Sequence, residues 1–390
     1  MKQTAKFSFM EEWIKCPLGD ILNLRRGHDL PKTSMIPGDI PVAGSNGIIG
    51  FHNVDTPISP CITIGRSGNV GTPYIYDKCW AHNTVLYIDD YKGNDPKYLY
   101  YLLKTLPLAS FGGGSAVPTL NRNHIHPLEV VFCKDIELQK KIAGILSKID
   151  DKIELNRQIN DNLEKQLQAL YNEWFVVNPK SDWHSVNLSE IATFVSGYSY
   201  KGNELVENSD TAMATIKNFE RNGGFKIDGY KPIIPSPKLK VDQRAQLFDI
   251  LVAHTDLTQN AEVIGNAEIL LSKDFYKDLI FSMDLVKVNA KESFPFQFLL
   301  ALLLKNSRFK SHCIGYVNGT TVLHMNKRAL PDYETITPNL EDAQNINATA
   351  KAIFCQMSEN LTEISNLTKM RDTLLPKLMS GELKINEIDC

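Results

Sequence analysis

Two short patterns in this chain carry residue types that could do chemistry, and neither is complete. His124-Ile125-His126 sets two imidazoles two residues apart, as the first half of a metal-ligand set would. No nearby Cys or Asp completes it, so the pair reads as solvated or structural rather than as ligands. Asn178-Pro179-Lys180 has the first two residues of an Asn-Pro-Pro-aromatic adenine-binding motif but lacks the second proline and the aromatic ring that would stack on the base. It follows a helical stretch, where a proline is commonplace. The chain contains no Gly-x-x-x-x-Gly-Lys-Ser/Thr phosphate loop, no Gly-x-Gly-x-x-Gly after a strand and no His-Glu-x-x-His. No catalytic group and no metal ligand can be named, which points away from an enzyme.

The bulk properties narrow the class further. A chain of 390 residues has room for two or more domains with proper cores. The longest strongly apolar run, 294–304, is too short to span a bilayer, and residues 1–13 lack the apolar stretch of a secretory leader. Seven cysteines without a Cys-x-x-Cys pair argue against a disulfide framework and for a reducing, cytoplasmic compartment. The formal net charge is -3, and residues 1–135 and 181–339 are each near neutral. Any affinity for nucleic acid must come from locally clustered Lys and Arg, or from partners that supply phosphate contacts.

The elements that would position functional loops occur twice. Trp13-Ile-Lys-Cys-Pro-Leu-Gly-Asp-Ile21 and Trp183-His-Ser-Val-Asn-Leu-Ser-Glu-Ile191 share Trp, Leu, an acidic residue and Ile at an offset of 170, and Gly27 and Gly197 keep it. Tyr98, Leu99, Leu102 and Leu103 match Phe298, Leu299, Leu302 and Leu303 at an offset of 200. Within each half, short β-like runs (61–64, 85–88 and 128–132; 250–252 and 285–288) lie between Gly- and Pro-rich turns around one apolar helix, about 96–104 or 296–305.

Each half closes on a long helical segment, at an offset of 204. Ile142, Leu146, Ile149, Ile153, Asn156, Asn160, Leu163, Leu167, Leu170 and Trp174 follow alternating steps of four and three. Ile346, Ala350, Ile353, Met357, Asn360, Ile364, Leu367, Arg371, Leu374 and Leu378 repeat the pattern. This is a coiled-coil seam in both helices, each roughly 58 Å long at about 1.5 Å per residue. Asn156 and Asn360 hold equivalent seam positions. If the helices pair antiparallel about a pseudo-two-fold axis, the two amides are expected to meet near it and fix the register.

Taken together, the pattern resembles the specificity subunit of a type I restriction-modification system over nearly the whole chain. The first half carries Pro41-Val-Ala-Gly-Ser-Asn-Gly47 followed by Ile64-Gly-Arg-Ser-Gly-Asn-Val-Gly71, and the second Asp249-Ile-Leu-Val-Ala253 followed by 254–265. The helical regions carry Leu163-Glu-Lys-Gln-Leu-Gln-Ala-Leu-Tyr-Asn-Glu-Trp-Phe175 and Leu374-Leu-Pro-Lys-Leu-Met-Ser-Gly-Glu-Leu383. The resemblance implies an α+β chain: two mixed α/β target-recognition domains (1–135 and 181–339) separated by two long helices (136–180 and 340–390) that form an antiparallel coiled coil, with a pseudo-two-fold internal repeat. It implies sequence recognition without catalysis, each domain reading half of a split DNA site while the helices act as a ruler; half-sites one helical turn apart lie about 34–36 Å from each other. It further implies two methyltransferase subunits that bind S-adenosylmethionine and flip the target adenine. Two restriction subunits, driven by ATP and dependent on Mg, would join them. No cofactor is expected on this chain and no membrane contact. Because the two halves share little in their loops, the expected site is asymmetric.

Residue type and loop position give the candidate contacts to double-stranded DNA, since Arg reads guanine, Asn and Gln read adenine, and Lys, Ser and Thr favour phosphate or serve either use. In the first domain these are Arg25, Arg26, Ser45, Asn46, Arg66, Ser67, Asn69, Ser115, Asn121 and Arg122. In the second they are Tyr198, Tyr200, Lys201, Lys217, Asn218, Arg221, Thr255, Asp256, Thr258, Gln259, Asn318, Thr320 and Thr321, with turn capping the competing role for Asp256. Ile145, Leu155, Ile159, Tyr171, Trp174, Phe175, Leu361 and Leu375 are candidates for a subunit interface; packing on the recognition domains is the alternative. Two rival classes remain: a stand-alone regulator of a split operator, against which the charge balance speaks, and a protein-binding coiled-coil scaffold, which leaves the polar Gly-rich loops unexplained.

Overall fold

The computed structural model of the chain describes residues 12–113, 118–258, 260–319 and 322–385. The elements are β1 (Trp13–Pro17), α1 (Leu18–Ile21), β2 (Asn23–Arg26), β3 (Ile40–Gly44), β4 (Gly47–His52), β5 (Cys61–Gly65), β6 (Pro73–Tyr76), β7 (Trp80–Ala81), β8 (Val85–Asp90), α2 (Pro96–Thr105), α3 (Arg122–Ile125), β9 (Glu129–Cys133) and α4 (Ile136–Asn172). They continue with β10 (His184–Asn187), α5 (Leu188–Ile191), β11 (Ala192–Ser196), β12 (Thr211–Ala214), β13 (Lys231–Pro232), β14 (Arg244–Ala245), β15 (Ile250–Ala253), β16 (Thr255–Asp256), β17 (Ala267–Ile269), β18 (Asp278–Phe281) and β19 (Leu285–Ala290). The last are α6 (Gln297–Leu304), α7 (Ser307–Ile314), β20 (Val317–Asn318), β21 (Leu323–Met325), β22 (Glu334–Thr337) and α8 (Leu340–Met379). The mixture of sheets and long helices is the expected α+β class. No helix among the described residues is long and apolar enough to cross a membrane.

The chain forms two compact units, Met1–Lys152 with Leu367–Cys390, and Ile153–Asn366. The division falls inside α4 and α8, not at their ends as four consecutive segments would have it. The reason is where each helix buries its apolar face. Ile142, Ala143 and Leu146 at the start of α4 share the first unit's core with Leu375, Leu378 and Met379 at the end of α8. Leu167 near the end of α4 shares the second unit's core with Ala343, Ile346, Ala350, Phe354 and Met357 of α8.

In the first unit, β2-β8-β5-β6 make a four-stranded sheet and β4-β3-β7 a three-stranded one, while β1 pairs antiparallel with β9, Trp13 opposite Cys133. Helix α2 begins where Asp95 accepts the Tyr98 N–H at 2.8 Å, with Pro96 at its first position. Its Tyr98, Leu99, Leu102 and Leu103 are buried against the larger sheet's core. Asp135 caps α4, accepting from the Glu137 N–H at 2.9 Å. The second unit repeats the plan with more strands: β11-β19-β15-β17, β13-β12-β18-β14 and β16-β21-β20, with β10 paired to β22. There Asn339 caps α8 through the Asp342 N–H at 2.9 Å, and Asp342 in turn accepts from Trp183 Nε1 at 3.0 Å.

The seam positions are buried or half-buried along both helices. In the second unit α4 and α8 run antiparallel, because bonded residues rise along one as they fall along the other. Asn360 Nδ2 donates to Asn160 Oδ1 at 2.8 Å, Asn160 Nδ2 to the Met357 carbonyl at 3.2 Å, and Asn156 Nδ2 to Glu363 Oε2 at 2.7 Å. The expected Asn156–Asn360 pair is therefore replaced by Asn160–Asn360, one turn along α4. Equivalence in a repeat fixes which residues occupy like environments; partners across an antiparallel pair follow from the crossing point, which lies between 156 and 160. In the first unit the same two helices are joined by Arg371 Nη1 to Asp150 Oδ1 at 2.8 Å, and Tyr101 Oη donates to Asp150 Oδ2 at 2.7 Å.

Candidate nucleic-acid interface

In the first unit the chain folds so that Arg25, Arg26, Arg66, Asn121 and Arg122 line one recess of about 370 Å³ whose floor is Leu86 and Leu120. Three separate segments converge to make it. Arg25 and Arg26 end β2, opposite Tyr87 and Leu86 of β8. Arg66 follows β5 and is locked by its backbone: its N–H donates to Thr84 at 2.8 Å and its carbonyl accepts from Leu120 at 2.8 Å. Asn121 caps α3 through the Asn123 N–H at 3.0 Å, which fixes Arg122 on the first turn. Two guanidiniums are tethered to carbonyls, Arg66 Nη1 to Asn83 O at 3.4 Å and Arg122 Nη1 to Leu24 O at 3.2 Å. Arg26 lies 3.5 Å from Asp29, an exposed pair of little strength. Burial, and then the like charge of Arg26, hold the Arg66 guanidinium below its ordinary value. Crowding like charges on an apolar floor disfavours the empty state and favours a bound anion.

The other first-unit candidates surround this recess. Ser45 and Asn46 form the two-residue turn between β3 and β4, with Ser45 buried and Asn46 exposed. Gly68 sits beside it: a β-carbon there would lie 3.7 Å from Ser45 Oγ, so the 44–47 turn and the 66–71 loop adjoin. Ser67 bridges Thr119, and Asn69 Oδ1 accepts from Thr72 Oγ1 at 3.5 Å. Ser115 lies outside the described residues.

Four second-unit candidates are corrected. Asn218 is 0% exposed, accepting the Thr215 N–H at 2.9 Å and donating to the Lys226 carbonyl at 2.6 Å. Tyr198 is 3% exposed, its hydroxyl donating to Glu204 Oε2 and accepting from the Ser236 N–H. Thr255 donates to Asp284 at 3.0 Å, and Asp256 caps its turn through the Thr258 and Val263 amides, both at 2.7 Å. All four are buried with their hydrogen bonds made internally, so none can reach a base. Tyr200 and Thr258 are half-buried, while Lys201, Lys217, Arg221 and Asn318 are exposed. Gln259, Thr320 and Thr321 lie outside the described residues. Loop composition also passed over the exposed turn Asn326-Lys327-Arg328, which carries two cations without a glycine to mark it.

A cavity of about 720 Å³ in the second unit is larger but of the wrong sign for a phosphate. Glu164, Glu220 and Glu268 line it, together with Lys305 and Arg221. Lys305 Nζ is bonded to Glu268 and lies 3.4 Å from Glu164. Burial alone would lower the Lys305 amine, and the two carboxylates outweigh it, so its pKa is raised. Arg221 is paired with Glu262 at 3.0 Å.

The interface candidates divide. Phe175 and Leu375 are corrected: both are buried in their own unit's core. Tyr171 and Trp174 pack half-buried on the second core and Ile145 on the first. Ile159 and Leu361 are half-buried, and Leu155 stays 50% exposed. His126 is structural, its Nε2 accepting the Leu24 N–H at 3.2 Å, whereas His124 is exposed. Among the described residues no group of three or more His, Cys, Asp or Glu converges as a metal site.

Residues 10–165, which contain the whole arginine recess, match the family model described as type I restriction modification DNA specificity domain. The chain is 27% identical over 314 residues to the type I restriction enzyme MjaIX specificity subunit of Methanocaldococcus jannaschii, covering 75% of this chain and 70% of that one. It is 28% identical over 316 residues to the HindI specificity subunit of Haemophilus influenzae, covering 64% and 68%. The crystal structure of a type I restriction-modification S subunit from M. genitalium shares the fold, with a TM-score of 0.64 at 16% identity over 94% of this chain and 96% of that one. The arginine-lined recess lies inside the stretch that matches this DNA specificity domain, and over most of its length the chain is similar to the specificity subunits of type I restriction-modification systems.

Proposed function

We propose that the chain reads a split, asymmetric site on double-stranded DNA, each compact unit reading one half, while α4 and α8 set the spacing and carry the partner subunits. Two methyltransferase subunits would bring S-adenosylmethionine and act on an adenine flipped from the stack, and two restriction subunits would bring ATP and Mg for translocation and cleavage. The complex would work in the cytoplasm, and this chain would hold no cofactor of its own.

One observation carries the reading. Arg25, Arg26, Arg66 and Arg122, with Asn121, come from three separate segments to one recess. Guanidinium forks match the O6 and N7 acceptors of guanine in the major groove, and a carboxamide matches adenine. Near-neutral charge in the rest of the chain accords with partners that supply much of the phosphate grip. Loops that differ between the units support an asymmetric site: Arg66-Ser-Gly-Asn-Val-Gly71 in one, 254–265 in the other.

Co-expression with the methyltransferase subunits, followed by genome-wide mapping of N6-methyladenine, tests it. A split motif with unlike halves is expected only when this chain is present. A palindromic motif would contradict the asymmetry, and a soluble complex that methylates no new motif would sink the reading.

A further inference from the structure

Four hydrogen bonds that frame the arginine recess have counterparts in the second unit. His254 N–H donates to Asp284 at 2.8 Å and its carbonyl accepts from Met325 at 2.9 Å, as Arg66 does with Thr84 and Leu120. Asn326 Oδ1 accepts the Arg328 N–H at 3.0 Å, as Asn121 accepts that of Asn123. Gly27 N–H donates to Val85 at 3.0 Å and Gly197 N–H to Leu285 at 3.2 Å; a β-carbon on either would strike the carbonyl of His82 or Ser282 at 2.1 or 2.0 Å. These bonds fix a residue-by-residue correspondence: Arg66 with His254, Asn121 with Asn326, Arg122 with Lys327. Arg25 and Arg26, just before Gly27, correspond to Val195 and Ser196, just before Gly197.

The second unit therefore lacks the arginine cluster at this place and carries a different set of cations. We infer that Lys327 and Arg328, on the turn after β21 and flanked by His324 and His254, form the second unit's phosphate-contact site on DNA. The inference rests on the proposed reading of a split DNA site. Lys327, Arg328 and His324 are exposed and His254 is half-buried. His324 lies opposite Thr255 across the β16–β21 pair, next to His254. Burial lowers the His254 pKa, and after it the positive fields of His324 and Lys327, which places the three on one patch. The neighbouring carboxylates are already engaged: Asp284 accepts from Thr255 and Ser282, and Asp256 caps its own turn. Arg328 pairs with Asp332, at 3.6 Å and largely in solvent. A lysine ammonium is a point charge suited to phosphate, where the arginine forks of the first unit suit base edges. The two units would thus divide labour, one with more capacity to read, the other gripping at the same structural position.

The test uses the full-length chain and a fluorescent duplex carrying the motif found by methylation mapping, titrated across a salt series. Lys327→Ala with Arg328→Ala is expected to weaken binding about tenfold and to make the salt slope shallower by about two, one for each phosphate no longer neutralised. Lys327→Arg should bind as the parent does, and unchanged thermal midpoints separate a missing cation from misfolding. Unchanged affinity and slope in the double variant, with weakened binding in Arg66→Ala plus Arg122→Ala, would overturn this assignment and leave the split-site reading intact. Unchanged binding in both pairs of variants would remove both.

Discussion

On the proposed reading Arg66 is the first unit's central DNA contact, because its backbone is held by hydrogen bonds on both sides and its side chain lines the arginine recess. Replacing Arg66 or Arg122 by alanine should cost about 1–3 kcal/mol of DNA affinity each if the side chain forks onto a base, with relaxed specificity at one motif position; anisotropy titrations on motif variants check this. His126 predicts a pH effect on stability. Its Nε2 must be unprotonated to accept the Leu24 N–H, and burial, then the charges of Arg122 and Lys92, lower its pKa from 6.5. The folded state thus binds fewer protons than the unfolded one, so stability is full above 6.5 and falls as pH drops toward the lowered value. Urea midpoints measured across that range should decline, and His126→Gln should flatten the decline. Lys305→Met should cost about 3–5 kcal/mol by leaving Glu268 buried and uncompensated, read from the same denaturation curves.

Among the elements, the long helices were the most legible in the sequence, since ten seam positions in steps of four and three leave little freedom about which face is buried. The β-runs at 61–64, 85–88 and 250–252 and the apolar helices of each half were also visible, and they are β5, β8, β15, α2 and α6. Pairing was not legible. The offset of 204 names Asn360 as the equivalent of Asn156, whereas the helices' crossing gives it Asn160 as partner. Asn360→Ala would strand the Asn160 amide in a half-buried seam and should lower stability by about 1–3 kcal/mol, while replacing both with leucine should recover most of it; a double-mutant cycle on thermal unfolding decides. The candidate site was half legible for a related reason. Beside glycine turns, Arg25 and Arg26 stayed exposed and Arg66 half-buried, but Asn218, Thr255, Asp256 and Tyr198 were drawn inward because loops need polar side chains to satisfy their own backbone. Lys327 and Arg328 went unmarked because a turn capped by the Asn326 side chain, not a glycine turn, positions them.

Over the molecule as a whole, two compact units each carry their own core and one version of the same loop frame, with nearly balanced charge and no catalytic constellation among the described residues. At the centre of the proposed function, the first unit's arginine recess reads one half of a split DNA site. The decisive experiment maps genomic N6-methyladenine in cells that co-express the methyltransferase subunits with either the parent chain or its Arg66→Ala, Arg122→Ala variant. With the parent a split asymmetric motif is expected, and with the variant a motif degraded in one half while the other half is kept. An identical motif from both chains, or a variant that loses both halves equally while the folded complex persists, would refute that role for the recess.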